Sequence, residues 1–312
     1  MAQQHPDIRS LLQQRAELQA RLNLLPYDGN PEVKEIHGDR YIYIRKRVAG
    51  RQTSTYVDVY SDELYQLLLR NARERRELNR QLRQMNRQLA AAGYKESALP
   101  PRVLENLDFA RANMKANIYD QAVLEGVATS FPQTEAIIEN GIVNGMSAAD
   151  IQKILNLKHA WEFILDPDVI QSPSNYDMLC HIAGLVNEGF FYNGGRIRSV
   201  PVSIGGTSYV PPLPIESVVK ESILNITSQD LPPEDIGIDL CLYCMRTQVF
   251  VDGNKRASVI FANHWMIRSG MGFLVIPEAR VARFKQLLVS YYESADSTEI
   301  AAFMKDSCWR NF

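Results

Sequence analysis

Apolar side chains recur at spacings of three and four residues in two stretches of the first hundred residues, and this spacing predicts two helices. The first spans 7–25, and the second spans 61–92 with Ser61 as its N-cap. Between them, residues 40–60 alternate between aliphatic and polar or aromatic side chains, with Ala49-Gly50 at the turn, which is typical of a β-hairpin. The pattern therefore predicts a helix–β-hairpin–helix module.

After Leu99-Pro100-Pro101 the pattern is mostly helical, so we expect one module over 1–100 and a second, mainly α domain over 101–312. The exception is 190–214, where two short extended runs surround the pairs Gly194-Gly195 and Gly205-Gly206 and predict a second β-hairpin. Helices are predicted over 104–120, 132–141, 147–155, 175–188, 217–228, 234–247 and 253–269.

Composition and charge narrow the class of protein. The chain has 312 residues, of which 46% are hydrophobic, and its net charge is −2. These values fit a soluble globular protein and exclude a disordered chain or a small disulfide scaffold. The charge is uneven, because residues 1–100 carry 17 basic and 12 acidic side chains while the remainder carries 17 and 24.

Much of the positive charge lies on the second helix, whose arginines leave two interpretations open: a solvated helix face, which is the commoner case, or a surface for an acidic partner or nucleic acid. These residues are Arg70, Arg73, Arg75, Arg76, Arg80, Arg83 and Arg87.

The cysteines and the apolar runs indicate where the protein resides. Cys180, Cys241, Cys244 and Cys308 form no regular framework, which favours a reducing compartment. No apolar run approaches the ~20 residues that a membrane span requires, and residues 1–12 lack the features of a secretory signal. We therefore expect a cytoplasmic protein without a membrane segment.

The residue types that suit phosphate chemistry are concentrated in 248–256, between the apolar helices 236–245 and 257–267. Unpaired N–H groups at a helix N-terminus and the helix dipole attract anions, and Gly253 lets the backbone approach a phosphate. Asn254, Lys255 and Arg256 add donors and cations, and Asp252 is a hard oxygen ligand suited to Mg²⁺. The segment predicts a nucleoside triphosphate site, and the alternative is an ordinary helix start.

The same segment resembles the motif of the Fic (Fido) family, His-x-Phe-x-Asp/Glu-Gly-Asn-Gly/Lys-Arg. Phe250, Asp252, Gly253, Asn254 and Arg256 match it, and Lys255 is a known variant at its position. In addition, 190–214 is similar to the β-hairpin flap of the family, and 121–129 is similar to its inhibitory segment with Glu125.

The resemblance implies a helical domain that moves AMP, or less often another phosphate-containing group, from ATP to a Ser, Thr or Tyr hydroxyl of a protein. It implies that Asp252 holds Mg²⁺ and that 253–256 hold the phosphates. It also implies that the flap, with Gly206, Thr207 and Tyr209, docks the target, although Tyr209 is equally compatible with packing inside the hairpin. Glu125 would be regulatory, and the alternative is a local cap or ion pair.

Three positions depart from the family pattern. The general base, a histidine in the family, is Gln248, which cannot accept a proton near pH 7. The second arginine of the motif is replaced by Val259, and the small hydroxyl residue four positions before the inhibitory glutamate is Gln121. Three hypotheses follow: a transferase impaired by the missing base, an inactive nucleotide- or protein-binding regulatory module, or a protein kinase like the toxin Doc, which shares a lysine at the position of Lys255.

Overall fold

A computed structural model describes residues 8–25, 27–48, 51–94, 99–139, 143 and 145–311. The chain divides into two compact units, residues 1–96 and 97–312, and each is described by itself. Within the described residues, no helix combines the length and apolar character needed to cross a bilayer.

The first unit contains a three-stranded antiparallel sheet, in the order β1-β2-β3, between two helices. Its elements are α1 (Ile8–Leu24), β1 (Asn30–Ile36), β2 (Asp39–Val48), β3 (Arg51–Val59) and α2 (Asp62–Ala91). The sequence predicted β2 and β3 but not β1, because Gly29, Asn30 and Pro31 are typical of a turn. Pro31 is tolerated since β1 is an edge strand that pairs only with β2. The predicted turn at Ala49-Gly50 lies outside the described residues.

Helix α2 begins as predicted, with the Ser61 hydroxyl accepting a hydrogen bond from the N–H of Leu64 at 3.2 Å. Near its start, Leu68 packs on Ile42 and Ile44 beneath the sheet. Farther along, α2 packs against α1, and the apolar residues it buries include Leu78, Leu82 and Leu89. One side of α2 is thus committed to the core of this unit along its whole length.

The second unit is mainly α, as predicted. Its helices are α3 (Pro101–Leu124), α4 (Phe131–Ile138), α5 (Ala148–Ile164), α6 (Pro167–Gln171), α7 (Tyr176–Val186), α8 (Glu216–Thr227), α9 (Pro233–Thr247), α10 (Asn254–Arg268), α11 (Val281–Ser294) and α12 (Thr298–Ser307). A short strand pair, β4 (Phe273–Leu274) and β5 (Trp309–Arg310), accompanies them. The predicted helix end at Gly141 lies outside the described residues.

Helices α5 and α10 occupy the centre of this unit. Trp161, Phe163 and Ile164 on α5 are fully buried, and α10 is packed by α3, α5, α7 and α9. Helices buried on all sides lack a polar stripe, which is why the spacing of apolar residues predicted α5 only as far as Leu155. Helices α6, α11 and α12 were not predicted.

The predicted second β-hairpin is wrong. Residues 190–214, called the flap here, contain turns, bends and irregular backbone but no strand. Four prolines within 201–214 cannot donate to a ladder. The carbonyls of Pro211 and Pro212 instead accept hydrogen bonds from the guanidinium of Arg198, at 3.2 and 2.6 Å. The buried Arg198 side chain thus joins the two arms of the flap at its base.

Candidate functional site

The segment predicted to bind phosphate forms a loop, residues 248–253, between α9 and α10. Gln248 ends α9 in the left-handed conformation (φ 48°), and Gly253 precedes α10 with φ 72°. The side chain of Asn254 closes the loop, because its amide donates to the carbonyl of Phe250 at 2.7 Å and its oxygen accepts from the N–H of the same residue at 2.9 Å. Its side chain therefore holds the loop, a role that the sequence analysis did not predict.

Asn187, which the sequence analysis did not single out, fixes this loop from α7. Its side-chain amide donates to the carbonyl of Asp252 at 2.9 Å and to that of Gly194, in the flap, at 3.1 Å. A Cβ atom on Gly253 would lie 2.5 Å from the Oδ1 atom of Asn187. Gly253 is therefore required by both its backbone angle and its close neighbour.

Arg256 is buried at the first turn of α10, with 2% of its side chain exposed. Its Nη1 donates to the carbonyl of Val186 at 2.8 Å, and its Nη2 lies 3.3 Å from the Asp252 carboxylate. Its Nε lies 3.3 Å from the Glu125 carboxylate. Hydrogen bonds to a carbonyl and to the Asp252 carboxylate, together with the ion pair to Glu125, therefore hold the guanidinium in place.

Glu125 points at the predicted phosphate site from the C-terminus of α3. Its carboxylate lies 3.3 Å from Arg256 Nε and 3.8 Å from Lys255 Nζ, although the second arginine of the family motif is absent. Gln121, which replaces the family's small hydroxyl residue, donates to the carbonyl of Arg256 and accepts from the indole N–H of Trp161. Glu125 thus has partners in this chain, and they are two of the cations predicted to bind phosphate.

Gln248, at the position of the family base, is held from two directions. Its side-chain amide donates to the carbonyl of Met245 at 2.6 Å, capping α9. Its own carbonyl accepts from Arg198 Nε at 2.6 Å. The side-chain amide nitrogen of Gln248 therefore caps the C-terminus of α9.

A cavity of about 510 Å³ lies beside this loop. Glu125, Gln248 and 251–255 form one wall, and flap residues 202–206 form another. A third wall comes from α11, which contributes Lys285, Leu288, Val289 and Tyr292. The α11 residues were missed because the sequence analysis assigned no element there, and their spacing of three and four residues is the signal that could have found them.

The flap tip is attached to α11. Thr207 Oγ1 and the N–H of Ser208 donate to Glu293 Oε1 at 2.9 and 3.1 Å, and these bonds lower the pKa of that carboxyl. Tyr209 stacks on Tyr292, with ring centroids 6.1 Å apart. Gly206 (φ 84°) lines the cavity, whereas Thr207 and Tyr209 contact α11, so packing is the role of Tyr209 that the structure favours.

Two further predictions can be compared with this geometry. Val259, where the family has its second arginine, is 1% exposed in the core between α9 and α11, which leaves no polar surroundings for a charge. Within the described residues, no group of three or more metal-ligating side chains occurs. The Asp252 side chain is 55% exposed and lines the cavity, so it fits a Mg²⁺ ion whose other ligands are phosphate oxygens and water.

Comparisons with known proteins find one family model and several relatives of this chain. Residues 2–66 match the model of DUF6788, a domain of unknown function. Protein adenylyltransferase Fic of Drosophila willistoni is 26% identical over 216 residues, which cover 65% of this chain and 42% of that protein. Protein adenylyltransferase fic-1 of Caenorhabditis elegans is 25% identical over 184 residues, which cover 55% and 36%. The chain thus spans less than half the length of these curated relatives.

Solved structures show the same fold. A fragment of Fic-1 from C. elegans superposes with a TM-score of 0.52 at 17% identity, covering 76% of this chain and 72% of that one. A Fic-domain signalling protein from Bacteroides thetaiotaomicron superposes with a TM-score of 0.52, also at 17% identity, covering 67% and 86%. The chain is thus similar to Fic proteins and contains a domain with the Fic-type fold, and the loop that resembles the Fic motif lies in its second unit.

Proposed function

We propose that the Fic domain binds ATP with Mg²⁺ in the 510 Å³ cavity and transfers AMP, or a related phosphate-containing group, to a protein hydroxyl. The observation that carries the proposal is that one cavity is lined by the cation Lys255, the N-terminus of α10, the carboxylate of Asp252 and Gln248, the residue at the position of the family base. The fold supports it, as do the two adenylyltransferase relatives.

The first turn of α10 would receive the phosphates. Its N–H groups lack acceptors inside the helix, and Lys255 and Arg256 add positive charge beside them. Asp252 would hold Mg²⁺, whose chemistry is to neutralise charge on the phosphate oxygens. The apolar side chains of Ile204 and Leu288, across the cavity, offer a surface on which a base can be buried.

In the transfer step, the target hydroxyl oxygen attacks the α-phosphorus, the bond from that phosphorus to the bridging oxygen breaks, and pyrophosphate leaves. The hydroxyl proton must also leave. Gln248 can hold a hydroxyl by a hydrogen bond but cannot take its proton, so the proton passes to solvent. Positioning and charge stabilisation carry much of phosphoryl-type transfer, and a slow reaction is therefore expected.

Two alternatives remain distinct from this proposal. A regulatory module that binds nucleotide or a partner protein without chemistry is favoured by the amide of Gln248, which already donates to Met245 at 2.6 Å. A Doc-like kinase is favoured by Lys255, and it would transfer the γ-phosphoryl group instead of AMP.

The experiment is to compare wild type with Gln248→His in a cell lysate, using ATP labelled at the α- or the γ-phosphorus. Histidine tolerates the left-handed backbone that this position requires (φ 48°). A general base typically contributes ~10²–10⁴ in rate, so α-label on protein should rise by about that factor, with an inflection near pH 6.5.

Gln248→Asn is the matched control, because it retains an amide and supplies no base. Label only from the γ-phosphorus would support the kinase alternative. A Gln248→His protein that binds ATP but labels neither itself nor the lysate would contradict the transferase proposal and favour the regulatory module.

A further inference from the structure

The exposed side of α2 carries an unbroken row of arginines, called the arginine stripe here: Arg73, Arg76, Arg80, Arg83 and Arg87. They follow one another at spacings of three and four residues, so they lie on one face over 14 residues, or about 21 Å of helix. All five are exposed. The opposite face of the same segment holds Leu78, Leu82 and Leu89 in contact with the core.

The stripe is poorly neutralised. Within the described part of the chain, Arg80 alone of the five has a carboxylate within 4 Å, that of Glu77 at 2.6 Å. Arg76 bonds to the uncharged side chain of Asn30 at 3.2 Å. In contrast, the inward-facing Arg75 donates to the carbonyl of Leu25 at 2.6 Å and lies 3.9 Å from the Asp28 carboxylate. The internal Arg75 thus has a carbonyl and a carboxylate as partners, whereas four of the five exposed arginines have no carboxylate within 4 Å among the described residues.

We infer that α2 is a docking surface for double-stranded DNA, with the arginine stripe along the phosphates of a groove. A single α-helix fits the major groove, and guanidinium forks match phosphate oxygens. The charge supports this occupant, because residues 1–100 have a net charge of +5 in a chain whose total is −2. Gln84 and Asn86 are exposed near the stripe. Their side-chain amides both donate and accept hydrogen bonds, so they match the edges of DNA bases better than they match the carboxylates of an acidic protein.

Helix α1 makes this surface rigid. It packs along α2, burying Leu11 and the small residues Ala16 and Ala20. Because small side chains let two helices approach closely, α1 supports α2 on the side opposite the arginine stripe. No conformational change in this unit is needed for the stripe to meet a groove.

The test is fluorescence anisotropy of the full chain with a labelled duplex of about 20 base pairs and mixed sequence, over a range of salt concentrations. Each phosphate contact contributes about 0.9 to the slope of log K against log salt, so five contacts predict a slope near −4.5. Replacing Arg76 and Arg83 by glutamine should reduce that slope by about two and weaken binding at least tenfold at low salt.

The matched control replaces Arg45 and Lys46 by glutamine, which removes the same charge from exposed side chains of the same unit. Circular dichroism melting establishes that both variants are folded. Equal losses in the two variants would overturn the inference, as would the absence of duplex binding at low salt. Tighter binding of single-stranded DNA, duplex RNA or poly-glutamate than of duplex DNA would overturn it as well.

Discussion

Glu125 places a carboxylate beside the cations of the proposed phosphate site. It lies 3.3 Å from Arg256 and 3.8 Å from Lys255, so it neutralises both cations and repels an incoming polyanion. Replacing it with glutamine keeps the shape and removes the charge. We expect Glu125→Gln to bind ATP about tenfold more tightly, which equals about 1.4 kcal/mol.

Calorimetry with ATP and Mg²⁺ measures this effect. Glu139→Gln is the control, since Glu139 pairs with Lys115 and is not among the residues that line the cavity. Unchanged affinity in Glu125→Gln would mean that Glu125 acts only as a local partner of Arg256. That result would leave the binding proposal intact, whereas a wild-type protein that binds no nucleotide at millimolar concentration would remove it.

For the individual residues of the loop, the sequence identified which ones belong to it but not what each side chain contacts. Asp252 and Lys255 line the cavity, whereas the side chain of Arg256 is buried. The side chain of Asn254, which was expected to donate to phosphate, also closes the loop through two hydrogen bonds to the backbone of Phe250. Asn187 escaped notice because its partner Asp252 is 65 positions away, and no local pattern reveals a contact of that kind.

Among the elements, the flap depends on one buried side chain. Arg198 is 3% exposed and donates to the carbonyls of Val200, Pro211, Pro212 and Gln248. Burial lowers the pKa of Arg198. The hydrogen bonds to these carbonyls stabilise its positive charge. Its replacement would leave several acceptors without a donor, and each hydrogen bond to a charged group is worth about 1.5–3 kcal/mol.

We therefore expect Arg198→Ala to lower the free energy of unfolding of the Fic domain by about 3 kcal/mol. It should also weaken ATP binding, because flap residues 202–206 form one wall of the cavity. Urea unfolding and calorimetry measure the two effects. The exposed Arg196, two residues earlier, provides the control, and similar losses in Arg196→Ala would show that Arg198 has no special role.

The elements also show where sequence periodicity succeeds. Helix α2 was predicted nearly to the residue, because it has one buried face, one charged face and a serine cap. The flap was predicted as a hairpin because glycine pairs and extended runs are typical of one. In the structure, Arg198 provides the bonds that a strand ladder would otherwise supply, and a bond between distant parts of the chain has no signature in local sequence.

For the Fic domain as a whole, two buried groups make stability depend on pH in opposite directions. Burial lowers the pKa of His264 to about 4, and its ring bonds to Ser174 and to the carbonyl of Val169. Burial raises the pKa of Glu162 to about 7, although Lys158 and His159 oppose that rise. The ordinary values of these two groups are 6.5 and 4.5.

The signs follow from which state binds more protons. Between pH 6.5 and 4 the unfolded chain protonates His264 and the folded one does not, so acidification lowers stability. Between pH 7 and 4.5 the folded chain protonates Glu162 and the unfolded one does not, so acidification raises it. Each of these two changes in pKa corresponds to roughly 3 kcal/mol, and the two effects largely cancel in wild type.

Glu162→Gln removes the group whose protonation raises stability on acidification and leaves the opposite effect of His264. We expect the variant to be more stable than wild type at pH 7, because no buried carboxylate has to ionise. Its free energy of unfolding should then fall by roughly 2–3 kcal/mol between pH 6.5 and 4.5, a decline that wild type shows only weakly. Urea unfolding followed by tryptophan fluorescence reports on this domain alone, since Trp161, Trp265 and Trp309 all lie within it. The control is Glu188→Gln, which alters another carboxylate beside His159. Parallel pH profiles for Glu162→Gln and wild type would refute the raised pKa assigned to Glu162.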